Sequence, residues 1–201
     1  FGDKLKARAL ALQVGAPVID GATVRSADEA RAFFDKIKAP IMLKAVSGGG
    51  GRGMRAVRNA DEIAEAFARC ASEAQSAFGD GSLYAERLIE SARHIEIQIL
   101  GDRHGGLIHF GERECTIQRR NQKLIEVAPS PSLSPALREK IARAALTLAK
   151  AANYDNLGTF EFLLDARDPT DNAYFAFIEA NPRLQVEHTV TEEVYDVDLV
   201  Q

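Results

Sequence analysis

Two short apolar runs, residues 159–164 and 173–178, constrain this chain more than any other stretch, because a glutamate accompanies each of them. Glu161 stands among Phe160, Phe162 and Leu163. Glu179 closes the second run, in which Tyr174, Ala176 and Ile178 alternate with Phe175, Phe177 and Glu179. Residues 165–172 between them hold Asp168, Pro169, Asp171 and Asn172, all turn formers, so the pair reads as an antiparallel hairpin. A register centred near Thr170 sets Glu161 and Glu179 opposite each other on one face. Like charges opposed across a ladder are destabilising, so the two are expected to share a proton or hold a cation. Asn181, two residues on, makes the set all oxygen, which suits a hard divalent ion such as magnesium better than zinc. The ordinary alternative is a pair of glutamates on a solvated face. Against it stands the run Asn181, Arg183, Gln185 and Glu187, polar at every second position, which as an extended segment would point four hydrogen-bonding side chains one way.

The 201 residues allow one large domain or two small ones, and 46% apolar with 27% charged residues is a soluble globular mixture. No run has the length needed to span a bilayer. Cys70 and Cys115 are too few for a disulfide framework, which points to a reducing compartment. A net charge of −4 argues against bulk nucleic-acid binding, while the local clustering of basic residues favours a small polyanion. Phe1 opens the sequence without a signal peptide and residues 197–201 stop inside a helical-looking pattern, so the chain is expected to be a piece of a longer polypeptide.

Residues 1–14 look helical, with Leu5, Ala9, Leu10 and Leu12 as apolar positions and Ala16 and Pro17 as the stop. Ser26 and Glu29 make a capping box for a short helix striped by Ala30, Phe33, Phe34 and Ile37. Pro40 starts a strand carrying Lys44, and SGGGGRGM follows. Gly48, Gly50 and Gly53 fit the dinucleotide pattern only through the abundance of glycine, because that pattern demands an immediate helix. Here residues 55–58 look like a strand, and the helix waits for Asn59, with Glu62 closing its box and Ile63, Phe67, Cys70, Ala71, Ala74 and Phe78 as its stripe. Met54 stands where a Walker loop has lysine. What remains is a glycine flap between two strands, able to fold bare amides over phosphates, with Lys44, Arg52 and Arg55 nearby.

Residues 94–100 alternate, with Ile95, Ile97 and Ile99 facing a core and His94, Glu96 and Gln98 facing away. Residues 112–123 concentrate Arg113, Arg119, Arg120 and Lys123 without apolar periodicity. Such a run is usually solvated surface; bracketed by strands, it could equally deliver a lysine to a substrate oxyanion. Ser134 and Pro135 open a long helix with Leu137, Ile141, Ala145 and Leu148 buried. The residues alone thus lead to a magnesium and phosphate site under a glycine flap.

In order, IMLKAVSGGGGRGM, HIEIQILGD, GERECTIQRRNQK, GTFEFLLD and FIEANPRLQVEHTVTEEV closely resemble the biotin carboxylase branch of the ATP-grasp superfamily, from about Gly2 to the last residue. The resemblance implies an α+β, ATP-grasp fold. Residues 1–19 would be a helical lead-in from a preceding domain and residues 20–88 a small flap domain. Residues 89–201 would form part of a larger, mainly antiparallel sheet domain with helices, ATP lying between the last two. It implies an enzyme in which ATP phosphorylates bicarbonate to carboxyphosphate, whose breakdown carboxylates biotin on a carrier. By position, Lys4 and Lys44 match phosphate-binding lysines, and Gly50, Gly51 and Met54 belong to the flap over ATP. Glu86, Arg87, Leu88 and Ile89 match the adenine hinge; His94, Gln118 and Asn121 match nucleotide contacts. Glu161, Glu179 and Asn181 match the set for magnesium (or manganese), and Lys123, Arg183, Gln185 and Val186 the bicarbonate pocket. Glu187 matches the general base, with Arg183 and Lys123 holding the anion. Asn121 departs from the histidine common there, though an asparagine can still hydrogen-bond a ribose hydroxyl.

The same likeness implies carrier and carboxyltransferase partners, a homo-oligomeric parent, no nucleic acid or membrane partner, and a cytoplasmic or, in a eukaryote, mitochondrial-matrix setting. The final acceptor would be an acyl-CoA, pyruvate or urea, and the chain alone is expected to bind ATP without completing carboxylation. Two other readings stay open: an ATP-grasp ligase of the carbamoyl-phosphate type, from which QVEH at 185–188 argues away, and a non-catalytic nucleotide-binding module, against which Glu161, Glu179 and Glu187 stand. An arginine beside Glu187 would pull its pKa down, so the base is expected to regain basicity from partial burial or the bound anion.

Overall fold

The computed structural model describes residues 4–47, 53–119 and 122–201, without side-chain detail at residues 4 and 5. In chain order the elements are α1 (Lys4–Gln13), β1 (Gly21–Val24), α2 (Ala27–Ile37), β2 (Ile41–Ala45), β3 (Met54–Val57), a 3-10 turn (Ala60–Glu62) and α3 (Ile63–Phe78). There follow β4 (Leu83–Arg87), β5 (Ala92–Gly101), β6 (Leu107–Arg119), β7 (Gln122–Val127), α4 (Pro135–Ala151), β8 (Leu157–Asp165), β9 (Phe175–Asn181) and α5 (His188–Tyr195). They divide into two units, one built on Ile19–Glu90 and the other on Ser91–Arg119 and Lys123–Gln201 with the N-terminal segment up to Val18.

In the smaller unit the sheet order is β1-β4-β2-β3, with β4 and β3 both antiparallel to β2. Apolar residues recur every second position in β2, so Ile41 and Leu43 are fully buried against α3, whose Cys70 and Ala74 have no exposed surface. Ser26 caps α2 by accepting from the Glu29 amide at 3.1 Å, and the expected Asn59–Glu62 box starts the next helical segment. Phe78, expected in the α3 stripe, is instead partly exposed at the last turn.

The larger sheet has the order β7-β6-β5-β8-β9. One face is a hydrocarbon core: Ile95, Ile97 and Ile99 of β5, Phe160 and Phe162 of β8 and Phe177 of β9 pack with Leu137, Ile141, Ala145 and Leu148 of α4. Burying each such side chain is worth roughly 1.5–3 kcal/mol. Ser134 caps α4 by accepting from the Leu137 amide, with Pro135 in its first turn. Helix α1 buries Ala7 and Ala11, whereas Leu12, expected inward, is exposed. Small residues there permit a close approach to the core that a leucine stripe would prevent.

Two irregularities set the other face. Between Ile97 and Ile99 the β5/β6 register shifts, and Gly111 sits on β6 with φ +64, where an added Cβ would collide with the Tyr195 hydroxyl. A second shift lies between Glu161 and Phe162 on the β8/β9 ladder, where Phe162 pairs with Phe177 and Glu161 with Glu179, so Ile178 bulges. The even alternation expected along β9 therefore breaks. Phe177 and Ala180 join the core, while Glu179 opposes Glu161, which points to the other face.

Candidate active site

Strand register builds the polar face as a transverse row. Arg113 on β6 pairs with Glu96 on β5, Glu96 with Glu161 on β8, and Glu161 with Glu179 on β9. Three carboxylates thus stand side by side on adjacent strands, an arrangement that needs compensating cations. Arg113 provides one, donating from Nε to Glu96 Oε1 at 2.5 Å with no exposure of either side chain. Lys123 on β7 provides the other. Its Nζ donates to Glu96 Oε2 at 2.5 Å and Glu187 Oε1 at 2.7 Å, and reaches Glu161 Oε1 at 3.5 Å. The charge run at residues 112–123, left open between solvated surface and delivery of a lysine, continues β6 as far as Arg119, and Glu112, Arg113, Glu114 and Cys115 are buried.

His94, one turn of the pleat from Glu96, lies 2.7 Å from Glu161 Oε2 through Nε2, and Gln118 donates to its Nδ1 at 2.8 Å, which leaves the Nε2 proton for Glu161. Asn181 donates to Glu161 Oε1 at 2.7 Å. Two residues expected to touch nucleotide and the three expected to hold metal are therefore gathered around one carboxylate. Burial alone would raise the Glu161 pKa, but hydrogen bonds from His94 and Lys123 and the Lys123 charge outweigh it and hold it below the usual range. The opposed Glu161 and Glu179, with Asn181 beside them, form an all-oxygen donor set whose like charges a divalent cation relieves, so the residues present fit magnesium. Glu96, Cys115 and Glu126 also bring ligand atoms within 4.8 Å of one another. Burial pushes the Cys115 thiol and Glu126 carboxyl towards their neutral forms, whereas a metal ligand must be deprotonated, so that group does not fit a metal.

Glu187 ends the loop that enters α5. Burial raises its pKa, yet the hydrogen bond from Lys123, its own backbone amide and the charges of Lys123 and Arg113 bring it below the usual range. The arginine expected beside it is not its partner. Among the described residues no ion pair joins Arg183 to Glu187; Arg183 is exposed and donates to the Leu184 carbonyl at 3.2 Å. Nor does the extended alternation from Asn181 to Glu187 hold, because the Arg183 amide turns back to the Asn181 carbonyl at 2.9 Å and the chain bends. Gln185 is consequently buried, its Oε1 without a hydrogen-bond partner among the described residues, while Val186 is exposed. Burial also competes with its neighbours at Lys123, where the charges of Glu96 and Glu161 drive the ammonium well above the usual lysine range.

In the smaller unit Lys44 forms an ion pair with Glu86 across β2 and β4, so a residue expected at phosphate and one expected at adenine hold each other. Met54 pairs with Lys44 in the β2/β3 ladder. The Arg87 amide donates to Asp20 and that of Leu88 to Pro40, while Ile89 is buried. The Lys4 side chain, Gly50, Gly51 and Asn121 lie outside the described residues. Sequence reasoning missed Glu96 and Arg113 as parts of the site; the signal available was Glu96 on an otherwise isoleucine-alternating strand.

Residues 3–201 match the family described as carbamoyl-phosphate synthase L chain, ATP binding domain. The chain belongs to that family. Among solved structures it is similar to biotin carboxylase from Campylobacter jejuni, with TM-score 0.89 and 46% identity over 98% of this chain and 44% of that one. It is equally similar, at TM-score 0.89 and 43% identity over 99% of this chain and 43% of that one, to the biotin carboxylase domain of 2-oxoglutarate carboxylase from Hydrogenobacter thermophilus, a complex with MgADP, ADP and bicarbonate. Pyruvate carboxylase 1 of Caenorhabditis elegans is 53% identical over all of this chain, which spans 17% of that relative's length. The α+β, ATP-grasp expectation is met by these structures. No helix among the described residues is long and apolar enough to cross a membrane.

Proposed function

We propose that this chain carries the ATP-binding and bicarbonate-activating part of a biotin-dependent ligase, with pyruvate as final acceptor of the carboxyl group. The observation that carries the reading is Lys123, whose one ammonium ties the carboxylate base Glu187 to Glu96 and the metal-type carboxylate Glu161. A lysine so placed holds an oxyanion beside a base, which is what bicarbonate activation requires. Its neighbours fit the assignment: Gln185 Oε1 is a buried acceptor with no donor among the described residues, suited to the bicarbonate hydroxyl. Arg183 is exposed and its side chain donates to the Leu184 carbonyl, a contact it can exchange for the anion.

In this reading Glu187 takes the bicarbonate proton, and a bicarbonate oxygen forms a bond to the γ-phosphorus of ATP as the bond to the β–γ bridging oxygen breaks and ADP leaves. The carboxyphosphate then splits at its C–O bond into carbon dioxide and phosphate. Phosphate takes the proton from biotin N1', which adds to the carbon dioxide. Glu161, Glu179 and Asn181 would hold magnesium, which supplies charge neutralisation on the phosphates. His94 keeps Glu161 ionised and oriented. Lys4, Lys44, Gly50, Gly51, Met54, Glu86, Arg87, Leu88, Ile89, Gln118 and Asn121 are proposed as nucleotide contacts, on a flap domain of residues 20–88 and a sheet domain of residues 89–201. Carrier and carboxyltransferase parts, a homo-oligomeric parent and a cytoplasmic or mitochondrial setting belong to the same proposal.

The test is ADP release by the full-length protein that carries this sequence, with and without bicarbonate and biotin. Release is expected to need bicarbonate, to rise with biotin, and to fall by roughly 10²–10⁴ in Glu187→Gln, the usual range for a lost general base. Release indifferent to bicarbonate would sink the reading. The family's description favours carbamoyl-phosphate chemistry as the second reading. Release stimulated by ammonia rather than biotin would select it.

A further inference from the structure

We propose that Arg113 is a positioning residue that fixes the separation of Lys123 and Glu187 by clamping Glu96 on one side and the first turn of α5 on the other. The inference rests on the bicarbonate-activating role given to Lys123 and Glu187. A guanidinium with no exposed surface is costly unless its donors are satisfied, so a fully buried arginine is held by specific partners. Those of Arg113 lie on two elements. Nε donates to Glu96 Oε1 at 2.5 Å, and Nη1 to Gln98 Oε1 at 2.9 Å and Thr191 Oγ1 at 2.7 Å, while Nη2 is buried without a partner among the described residues, so Nε and Nη1 carry the clamp.

Glu96 has two oxygens, and Arg113 occupies the one that Lys123 does not. The carboxylate therefore cannot turn, and the lysine it holds cannot follow. Thr191 lies four residues beyond Glu187, on the first turn of the helix whose N-cap position Glu187 occupies. Residues so spaced share a helix face, so pinning Thr191 pins the point from which Glu187 projects. Lysine and base are thus located by the same planar fork from opposite sides. A lysine at 113 would keep the charge but present one point donor in place of the fork, and could not hold both anchors in fixed geometry.

The test uses the full-length protein with three variants, Arg113→Lys, Thr191→Val and Thr191→Ser, measured as ADP release against bicarbonate and ATP separately. Arg113→Lys is expected to lower kcat/KM for bicarbonate by roughly 10²-fold and Thr191→Val by about tenfold, the scale of a small misplacement of reacting groups. KM for ATP should stay within about twofold, and Thr191→Ser, which keeps the hydroxyl, should behave as the wild type. Thr191→Val and Thr191→Ser alike in kcat/KM for bicarbonate would overturn the clamp, even if Arg113→Lys does not fold. So would a parallel loss for ATP and bicarbonate, the mark of a residue that only supports the fold. Wild-type release that ignores bicarbonate would remove the functional reading itself, a failure separable from these.

Discussion

Lys123→Met removes an ammonium from a pocket walled by Glu96, Glu161 and Glu187, and the structure sets the size of the effect. Its Nζ is within 2.7 Å of Glu96 and Glu187 and 3.5 Å from Glu161, with the lysine side chain 23% exposed and Glu96 fully buried. Breaking such a buried pair from one side costs about 3–5 kcal/mol, and the partial exposure places this case near 3. For a chain of this size that lowers the melting temperature by roughly 6–12 °C. The pH dependence follows from the directions of the shifts. Lys123 is raised, so its contribution is full below its ordinary value of 10.5 and is lost as pH rises through the folded value. Glu161 and Glu187 are lowered, so theirs is present above 4.5 and is lost as pH falls through their depressed values. The variant's deficit should hold steady between those two ordinary values and narrow on acidification below the lower one. Urea melts of wild type and variant across that range decide it. Equal midpoints at neutral pH, or a deficit that acid does not shrink, would refute the reasoning.

Gly111→Ala forces a left-handed backbone on a residue with a Cβ and meets the Tyr195 hydroxyl, so a loss of about 1–3 kcal/mol in urea unfolding is expected. Ile97→Ala, at a fully buried position, should cost about 2–5 kcal/mol and Ile97→Val about 0.5–1.5, read in the same assay. Glu161→Gln should raise the magnesium concentration needed for half-maximal ADP release by at least about tenfold, and excess chelator should abolish release in the wild type.

How far the site could be read in advance depended on the kind of signal each residue left. The opposition of Glu161 and Glu179 was legible because a turn-rich linker of fixed length joins two apolar runs, and length plus alternation determines register. The extra residue at Ile178 was not, since a bulge changes one position without altering composition, and it moved Glu179 off the Phe177 face. Residues 112–115 stayed undecided because charge alone argues for water while the flanking strands argue for burial. What buries them is the ladder to β5, where Arg113 meets Glu96, a long-range pairing that no local pattern encodes. Arg183 was placed beside Glu187 through the family motif they share, while the lysine that pairs with Glu187 comes from 64 residues away. Helix α1 shows the same limit, as Ala7 and Ala11 were chosen for contact by tertiary packing over the larger Leu12.

The central claim is that bicarbonate, oriented by Lys123 and deprotonated by Glu187, is itself the nucleophile towards ATP. Supplying the full-length protein with magnesium, ATP and [18O]bicarbonate, faster than bicarbonate exchanges oxygen with water, and analysing the released phosphate by mass tests it most directly. One labelled oxygen per phosphate is the result the account predicts, because the C–O bond that later breaks leaves the attacking oxygen on phosphorus. Phosphate that carries no label from bicarbonate while ADP accumulates would mean that water attacks ATP, and would contradict it.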